Sequence, residues 1–199
     1  MIPFAIGELA MKPASIRVVS AFAALLAVGA CSQPEALSAR PPDLVGIDVA
    51  RGPAPSYRDA ISVAPVTVGQ DTQTPWRSQI GPAQVQETLV QTLAAARLGG
   101  PQGRYRLDTM LLTLQRPYAG FAMTVTATIA YRLTEVATGA VVYSSTLSTI
   151  GTASLNDAVM NDVRLRIADE RAIQANIRRL VEELYALPDR MPATSSRRT

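Results

Sequence analysis

Phe121-Ala-Met-Thr-Val-Thr-Ala-Thr-Ile-Ala-Tyr-Arg-Leu-Thr-Glu135 decides how this chain folds. Phe121, Met123, Val125, Ala127, Ile129, Tyr131 and Leu133 fall on one side of an extended strand. Ala122, Thr124, Thr126, Thr128, Ala130, Arg132 and Thr134 fall on the other. A period of two with one apolar and one threonine-rich face is the mark of a strand in an antiparallel sheet with one face packed and one wet. Ala137-Thr138-Gly139 turns this strand into a second, from Val141 to Gly151, where Val141, Tyr143 and Leu147 oppose Ser144, Thr146 and Ser148. Upstream, Pro117-Tyr118-Ala119-Gly120 links it to a strand from Arg104 to Leu114, so the three form a meander.

Outward from the meander the period changes. Gly81-Pro82 opens a helix expected to run to about Leu98, with Val85, Leu89, Leu93 and Ala96 on one stripe and Gly99-Gly100-Pro101 ending it. Ahead of it, Ala60 to Val68 is a β-branched run interrupted by Pro65, which marks an edge strand or a bulge. After the meander, Asn156 or Asp157 serves as a cap for a helix from about Ala158 to Leu187, striped by Ile173, Ile177, Leu180, Leu184 and Leu187. The order β-α-β-β-β-α predicts an α+β two-layer sandwich, a four-stranded, mainly antiparallel sheet with two helices on one face.

The flanks have a different composition. Reading from Met11, Lys12 and Arg17 precede an apolar run from Val18 to Ala27, too short to span a membrane and of signal-peptide length. Val28-Gly29-Ala30-Cys31 ends it and looks like a lipobox, with Cys31 as the lipidated residue, residues 1–30 as the signal and Met11 as the expected start. Cys31 is the only cysteine, so no disulfide forms within the chain. Ser32 follows it in place of an acidic residue, which resembles the pattern of lipoproteins sent to the outer membrane. Ser32 to Arg58 carries Arg40-Pro41-Pro42-Asp43 and Arg51-Gly52-Pro53-Ala54-Pro55-Ser56, so 31–58 reads as a proline-rich tether. The folded domain is expected over 59–187, and 188–199 reads as a disordered tail.

Composition narrows the chemistry. No histidine occurs in the 199 residues, and Lys12 in the signal is the only lysine. A Ser-His-Asp triad, a Ser-Lys dyad and zinc sites of the usual histidine or cysteine type are therefore excluded. Asp162, Asp169 and Glu170, the nearest carboxylate group, stand at helical spacing beside Arg166 and Arg171 and read as solvated ion pairs. Gly99 to Gly103 is glycine-rich but follows a helix and precedes a strand, the reverse of a phosphate cradle, and reads as a turn. Arginines scattered among acids disfavour nucleic acid as a partner. No cofactor or metal is expected, and the chain is expected not to be an enzyme.

Candidate contacts are Trp76, in the polar loop Gly69 to Ile80, and Tyr118 and Phe121, at the hairpin before the central strand. The threonine face and the edge strand Ala60 to Val68 are further surfaces for a partner. A hydrophobic groove between the helices would favour a lipid ligand; a closed core with a sticky edge would favour a protein.

The lipobox, the proline-rich stretch, Ile61-Ser62-Val63-Ala64-Pro65-Val66, Tyr105-Arg106-Leu107-Asp108, Thr138-Gly139-Ala140-Val141-Val142-Tyr143-Ser144-Ser145 and the helix Ala168-Asp169-Glu170-Arg171-Ala172-Ile173-Gln174-Ala175-Asn176-Ile177 together carry a resemblance. The chain resembles, over about 60–187, small outer-membrane lipoproteins: auxiliary lipoproteins of ABC-type lipid transport and the lipopolysaccharide-assembly lipoprotein. The resemblance implies a sheet-plus-two-helix fold and a periplasm-facing, lipid-anchored accessory. Its partners would be an envelope complex (a transporter or an outer-membrane barrel) and a lipid ligand. The alternatives are a structural envelope lipoprotein and an enzyme of envelope glycolipid metabolism.

Overall fold

The computed structural model describes residues 40–69, 80–101, 103–116 and 122–190, all within the unit 37–199. Its regular elements are β1 (Ile61–Val63), β2 (Thr67–Val68), α1 (Pro82–Ala95), β3 (Tyr105–Gln115), β4 (Met123–Glu135), β5 (Val141–Ala153) and α2 (Asn161–Tyr185), preceded by a 3-10 turn at Pro55–Tyr57. The α+β sandwich and its element order are as the sequence predicts.

The sheet runs β1-β3-β4-β5, with β2 also paired to β3. The β3–β4 and β4–β5 pairs are antiparallel, as alternating strands joined by short turns must be. The first strand is corrected in detail. Pro65 divides the expected run from Ala60 to Val68 into β1 and β2, which lie in line and both run parallel to β3. Proline offers no ladder donor, and the passage through α1 supplies the crossover that a parallel neighbour requires.

The period-two reading of β4 is exact in its burial. Val125, Ala127, Ile129 and Leu133 are fully buried on the inner face, while the even-numbered residues face outward. Leu107 and Leu111 of β3, Leu89 and Leu93 of α1, and Ile177, Leu180 and Leu184 of α2 complete one core with them.

Helix α2 is seated on the sheet through small and polar residues. A Cβ on Gly151 of β5 would lie 2.2 Å from the Ala168 carbonyl oxygen and 2.3 Å from the Ala172 nitrogen, so the helix backbone rests directly on the strand. One turn further, Asn176 is fully buried. Its Oδ1 accepts from Tyr131 Oη at 2.9 Å, and its Nδ2 donates to the carbonyl of Leu147 at 2.9 Å and to Thr149 Oγ1 at 3.0 Å. Thr149 Oγ1 in turn donates to the Ala172 carbonyl at 2.8 Å. Burial pushes the Tyr131 hydroxyl's pKa far up, so it stays a donor.

The start of α2 differs from expectation. Neither Asn156 nor Asp157 caps it; Met160 is the cap residue and makes no side-chain cap bond. Asp157 instead closes the turn before the helix by accepting from the Ser154 N–H at 2.8 Å. The buried Arg164 holds the approach by donating to the carbonyls of Ala158 and Val159 and to Asn161.

The proline-rich stretch is packed from about residue 42 onward. Leu44, Ile47 and Ala54 lie against the core, and Tyr57 is buried in it, its ring 5.0 Å from that of Tyr105. Gln174 donates to the Arg40 carbonyl, and Arg178 donates to those of Asp43 and Val45. At the other terminus, Asp189 accepts from the Ser56 N–H at 3.1 Å.

Replacing Asn176 by Ala strands the Tyr131 hydroxyl in the core and is expected to cost about 2–4 kcal/mol. Gly151→Ala forces α2 off β5 and is expected to cost at least about 2 kcal/mol. Both are read as a lower urea midpoint at an unchanged slope, by circular dichroism.

Candidate functional site

Cys31, Trp76, Tyr118 and Phe121 all lie outside the described residues. Among the described residues, the candidate sites are surfaces that the fold itself presents.

The outer face of the sheet is the broadest. It carries Asp108 and Met110 of β3, the threonines with Ala130 and Arg132 of β4, and Ser144, Thr146, Ser148 and Ile150 of β5. An open depression of about 500 Å³ lies on it between Pro65, Thr67, Asp108, Met110, Arg132 and Thr146. Its one aspartate lies between two arginines. Arg106 Nε lies 3.1 Å from Asp108 Oδ1, and Asp108 stands opposite Arg132 in the β3–β4 register. Such a surface recognises neutral polar groups through hydroxyls and offers no concentrated charge.

An apolar groove of about 330 Å³ runs along β1, between Val63 and the α1 residues Val90, Leu93 and Ala94, and is floored by Gly99 to Pro101. This is not a channel between the two helices. The interior between helices and sheet is filled by the closed core described above. The glycine-rich run beside this groove acts as a turn with a steric purpose. A Cβ on Gly100 would lie 2.0 Å from the Asp59 carbonyl oxygen, and one on Gly103 would lie 2.4 Å from that of Ala60. Glycine is needed there because the chain runs against the start of β1.

The acidic group on α2 is corrected. Asp169, expected to be solvated, is 2 % exposed and accepts from Arg116 Nε at 2.9 and 3.2 Å, tying the end of β3 to the helix. Arg171 reaches away from its helical neighbours to Asp157 at 2.6 Å and to the Thr152 carbonyl at 2.6 Å. Glu170 accepts from Gln174. Asp162 is exposed, and Asp169 and Glu170 serve separate contacts, so the three carboxylates do not act as one group. Among the described residues, no group of three or more histidine, cysteine, aspartate or glutamate side chains is placed to hold a metal ion. Nor is any described helix long and apolar enough to cross a membrane.

Sequence reasoning missed Asn176, Arg164 and the Arg116–Asp169 pair. Asn176 did leave a signal: it interrupts the stripe of Ile173, Ile177 and Leu180 as a polar residue on the buried side of the helix. Arg164 and Arg116 left none, because an arginine at a helix start or a strand end is ordinarily at the surface.

No family model matches the chain, and no curated protein matches it significantly. Solved structures do match. Protein XCC0632 from Xanthomonas campestris, of the DUF330 family, superposes with a TM-score of 0.52 at 16% identity, over 68% of this chain and 91% of that one. PelC from Paraburkholderia phytofirmans, solved as a dodecamer, gives 0.48 at 18% identity, over 70% and 94%. A minor lipoprotein from Acinetobacter baumannii gives 0.43 at 13% identity, over 68% and 98%. At these identities, the likeness to XCC0632 establishes a shared fold.

The Asp157 carboxyl is held below the ordinary carboxylate range, first by Arg171 and then by the Ser154 N–H. Its contribution to stability is therefore present above the unfolded-state pKa of about 3.9 and is lost as pH falls through the lowered value. Arg171→Ala is expected to move the Asp157 titration upward, followed by NMR of the carboxyl carbon. An unchanged midpoint would show that Ser154 alone sets it.

Proposed function

We propose that this protein is a lipid-anchored envelope lipoprotein, held at the outer membrane through Cys31, that acts without catalysis by binding a protein partner in lipid transport or outer-membrane assembly. The observation that carries this reading is the way the domain is held from its N-terminal side. The chain that follows the lipobox is fixed along α2 through Arg40, Asp43 and Val45, whose carbonyls engage Gln174 and Arg178. Arg40 stands nine positions after Cys31, a span of nine Cα–Cα steps. Fully extended they reach about 30 Å, so an anchor at Cys31 keeps the domain beside the membrane surface. Several acyl chains on one terminus hold far more firmly than one.

Binding without catalysis is supported by the absence of histidine from the whole chain and by the engagement of the acidic side chains in structural pairs. Besides Asp157 and Asp169, Glu135 binds Arg104 at 2.6 Å and Thr138, and Glu183 binds Arg179 and Tyr143. A closed core with an exposed sheet edge favours a protein over a lipid as the main partner.

Cys31→Ala is expected to leave the domain folded and release it from the membrane fraction, with loss of metabolically incorporated palmitate; a membrane-bound variant would sink the anchoring. Affinity capture of the lipidated chain from crosslinked envelopes, with mass spectrometry of protein and lipid, identifies the partner. Recovery of a transporter subunit or an outer-membrane barrel supports the accessory role. Recovery of neither protein nor lipid favours a purely structural lipoprotein.

A further inference from the structure

The two edges of the sheet are treated differently. At the β1 edge, the strands are three and two residues long and broken by Pro65. The outward groups of Ile61 are already taken: its N–H donates to the Leu98 carbonyl, and its carbonyl accepts from the Gly100 N–H. What that edge presents is short and interrupted.

The β5 edge is not. The strand is 13 residues long, contains no proline and carries no charged side chain, in a protein that is 18% charged overall. Ladder parity fixes which of its main-chain groups are open. Tyr105 N–H donates to the Ala60 carbonyl, so the odd residues of β3 face β1 and its even residues face β4. The register then turns the odd residues of β4 and β5 toward each other, as in Ile129 opposite Leu147. The even residues of β5 point their N–H and C=O groups outward. Arg171 confirms the parity by binding the Thr152 carbonyl, and it also closes that end. At the other end the register shifts between Leu133 and Thr134, which interrupts the pattern before Ser144. Between these limits Ser144, Thr146, Ser148 and Ile150 are exposed, and among the described residues no main-chain bond outside the ladder uses them.

We propose that β5 pairs antiparallel with β5 of a second copy of this chain, joining two sheets across a two-fold axis at Leu147. The open stretch 144–150 is centred on that residue. Pairing about it sets Ser144 opposite Ile150 and Thr146 opposite Ser148, each a pair that exchanges main-chain hydrogen bonds. Self-pairing places every side chain of the strand near its own kind, so a charged edge would repel itself; this one has no charge to repel. The same neutrality gives a partner of opposite charge nothing to recognise. A two-fold pairing of β5 with β5 uses the same edge of both molecules, and the β1 edge is short and broken by Pro65, so association stops at a closed dimer and does not run on into a fibre.

The test uses the full chain purified in detergent. The unaltered chain is expected to show twice the monomer protein mass by light scattering. Thr146→Pro is expected to give the monomer mass with an unchanged circular dichroism spectrum, because no bond among the described residues uses the N–H it removes. Thr146→Lys serves the same purpose should the proline variant fail to fold. Mixing Thr146→Cys with Ser148→Cys brings the two thiols to a hydrogen-bonded pair position, about 5.5 Å between Cα atoms and within disulfide range. Thr146→Cys mixed with itself is out of register and is expected to crosslink poorly. A monomer mass at all concentrations, or crosslinking that is equal in the two mixtures, overturns the proposal. So does a dimer that Thr146→Pro and Thr146→Lys both leave intact.

Discussion

The fold depends on the contact between α2 and the two strands beneath it, and that contact is unusual for having little bulk at its centre. Ala168, Ala172 and Asn176 follow one another at four-residue spacing, on the line of the helix that touches β5. The first two are small enough to let the backbones meet at Gly151. The third fills the place of an apolar side chain with a group that binds β4 and β5 at once. Apolar burial is tolerant of sliding, because one leucine contact replaces another at little cost. A buried amide is not, since any shift along the axis leaves polar atoms unpaired. Asn176 therefore sets where the helix lies, while the surrounding leucines and isoleucines supply most of the favourable free energy.

The same logic extends to the ends of the helix. Arg164, at 3 % exposed, gathers the carbonyls of the approaching loop, and Asp169 draws the end of β3 toward the helix through Arg116. At the far end Tyr143 donates to Glu183 at 2.8 Å, and Tyr185 donates to the Ala96 carbonyl at 2.6 Å, joining α2 to β5 and to the end of α1. Polar side chains thus mark the positions of α2 along its length. Charges that would draw attention as a reactive cluster in the sequence are distributed as separate fasteners.

How far the sequence could be read follows from this division. Period-two alternation is a local property, so β3, β4 and β5 were legible to within two residues, and α1 was legible from Gly81-Pro82 and its apolar stripe. The split at Pro65 was foreseeable because proline removes a donor wherever it stands. The parallel sense of β1 and β2 was not, since direction depends on which strand they meet. Asp169 was misread because its partner, Arg116, lies 53 positions away and no helical spacing announces it. The packing of residues 40–58 was hidden for a related reason. Proline-rich composition predicts the absence of helix and strand, which is correct for most of that stretch, but it says nothing about whether an irregular chain finds a surface. Leu44, Ile47 and Tyr57 were the residues that could have said so. The contact residues named from sequence, Trp76, Tyr118 and Phe121, fall outside the described residues.

The packing of that stretch bears on how an anchored domain would carry load. Gln174 and Arg178 lie one turn apart on α2, on the side opposite Ala172 and Asn176. The helix is thus clasped on one face by the N-terminal segment and fixed on the other to the sheet. In the proposed anchoring, a pull from the membrane enters the domain through these main-chain bonds and passes across α2 to β4 and β5. It does not peel an edge strand, because β1 begins only after Tyr57 has been locked into the core beside Tyr105. A force spread over several bonds loaded together along a helix is resisted better than one that opens a strand bond by bond. The arrangement leaves the outer face of the sheet, on the side away from α2, free of these bonds. An accessory protein that must stay attached while it binds needs that separation, and here it follows from which face of a single helix each group occupies.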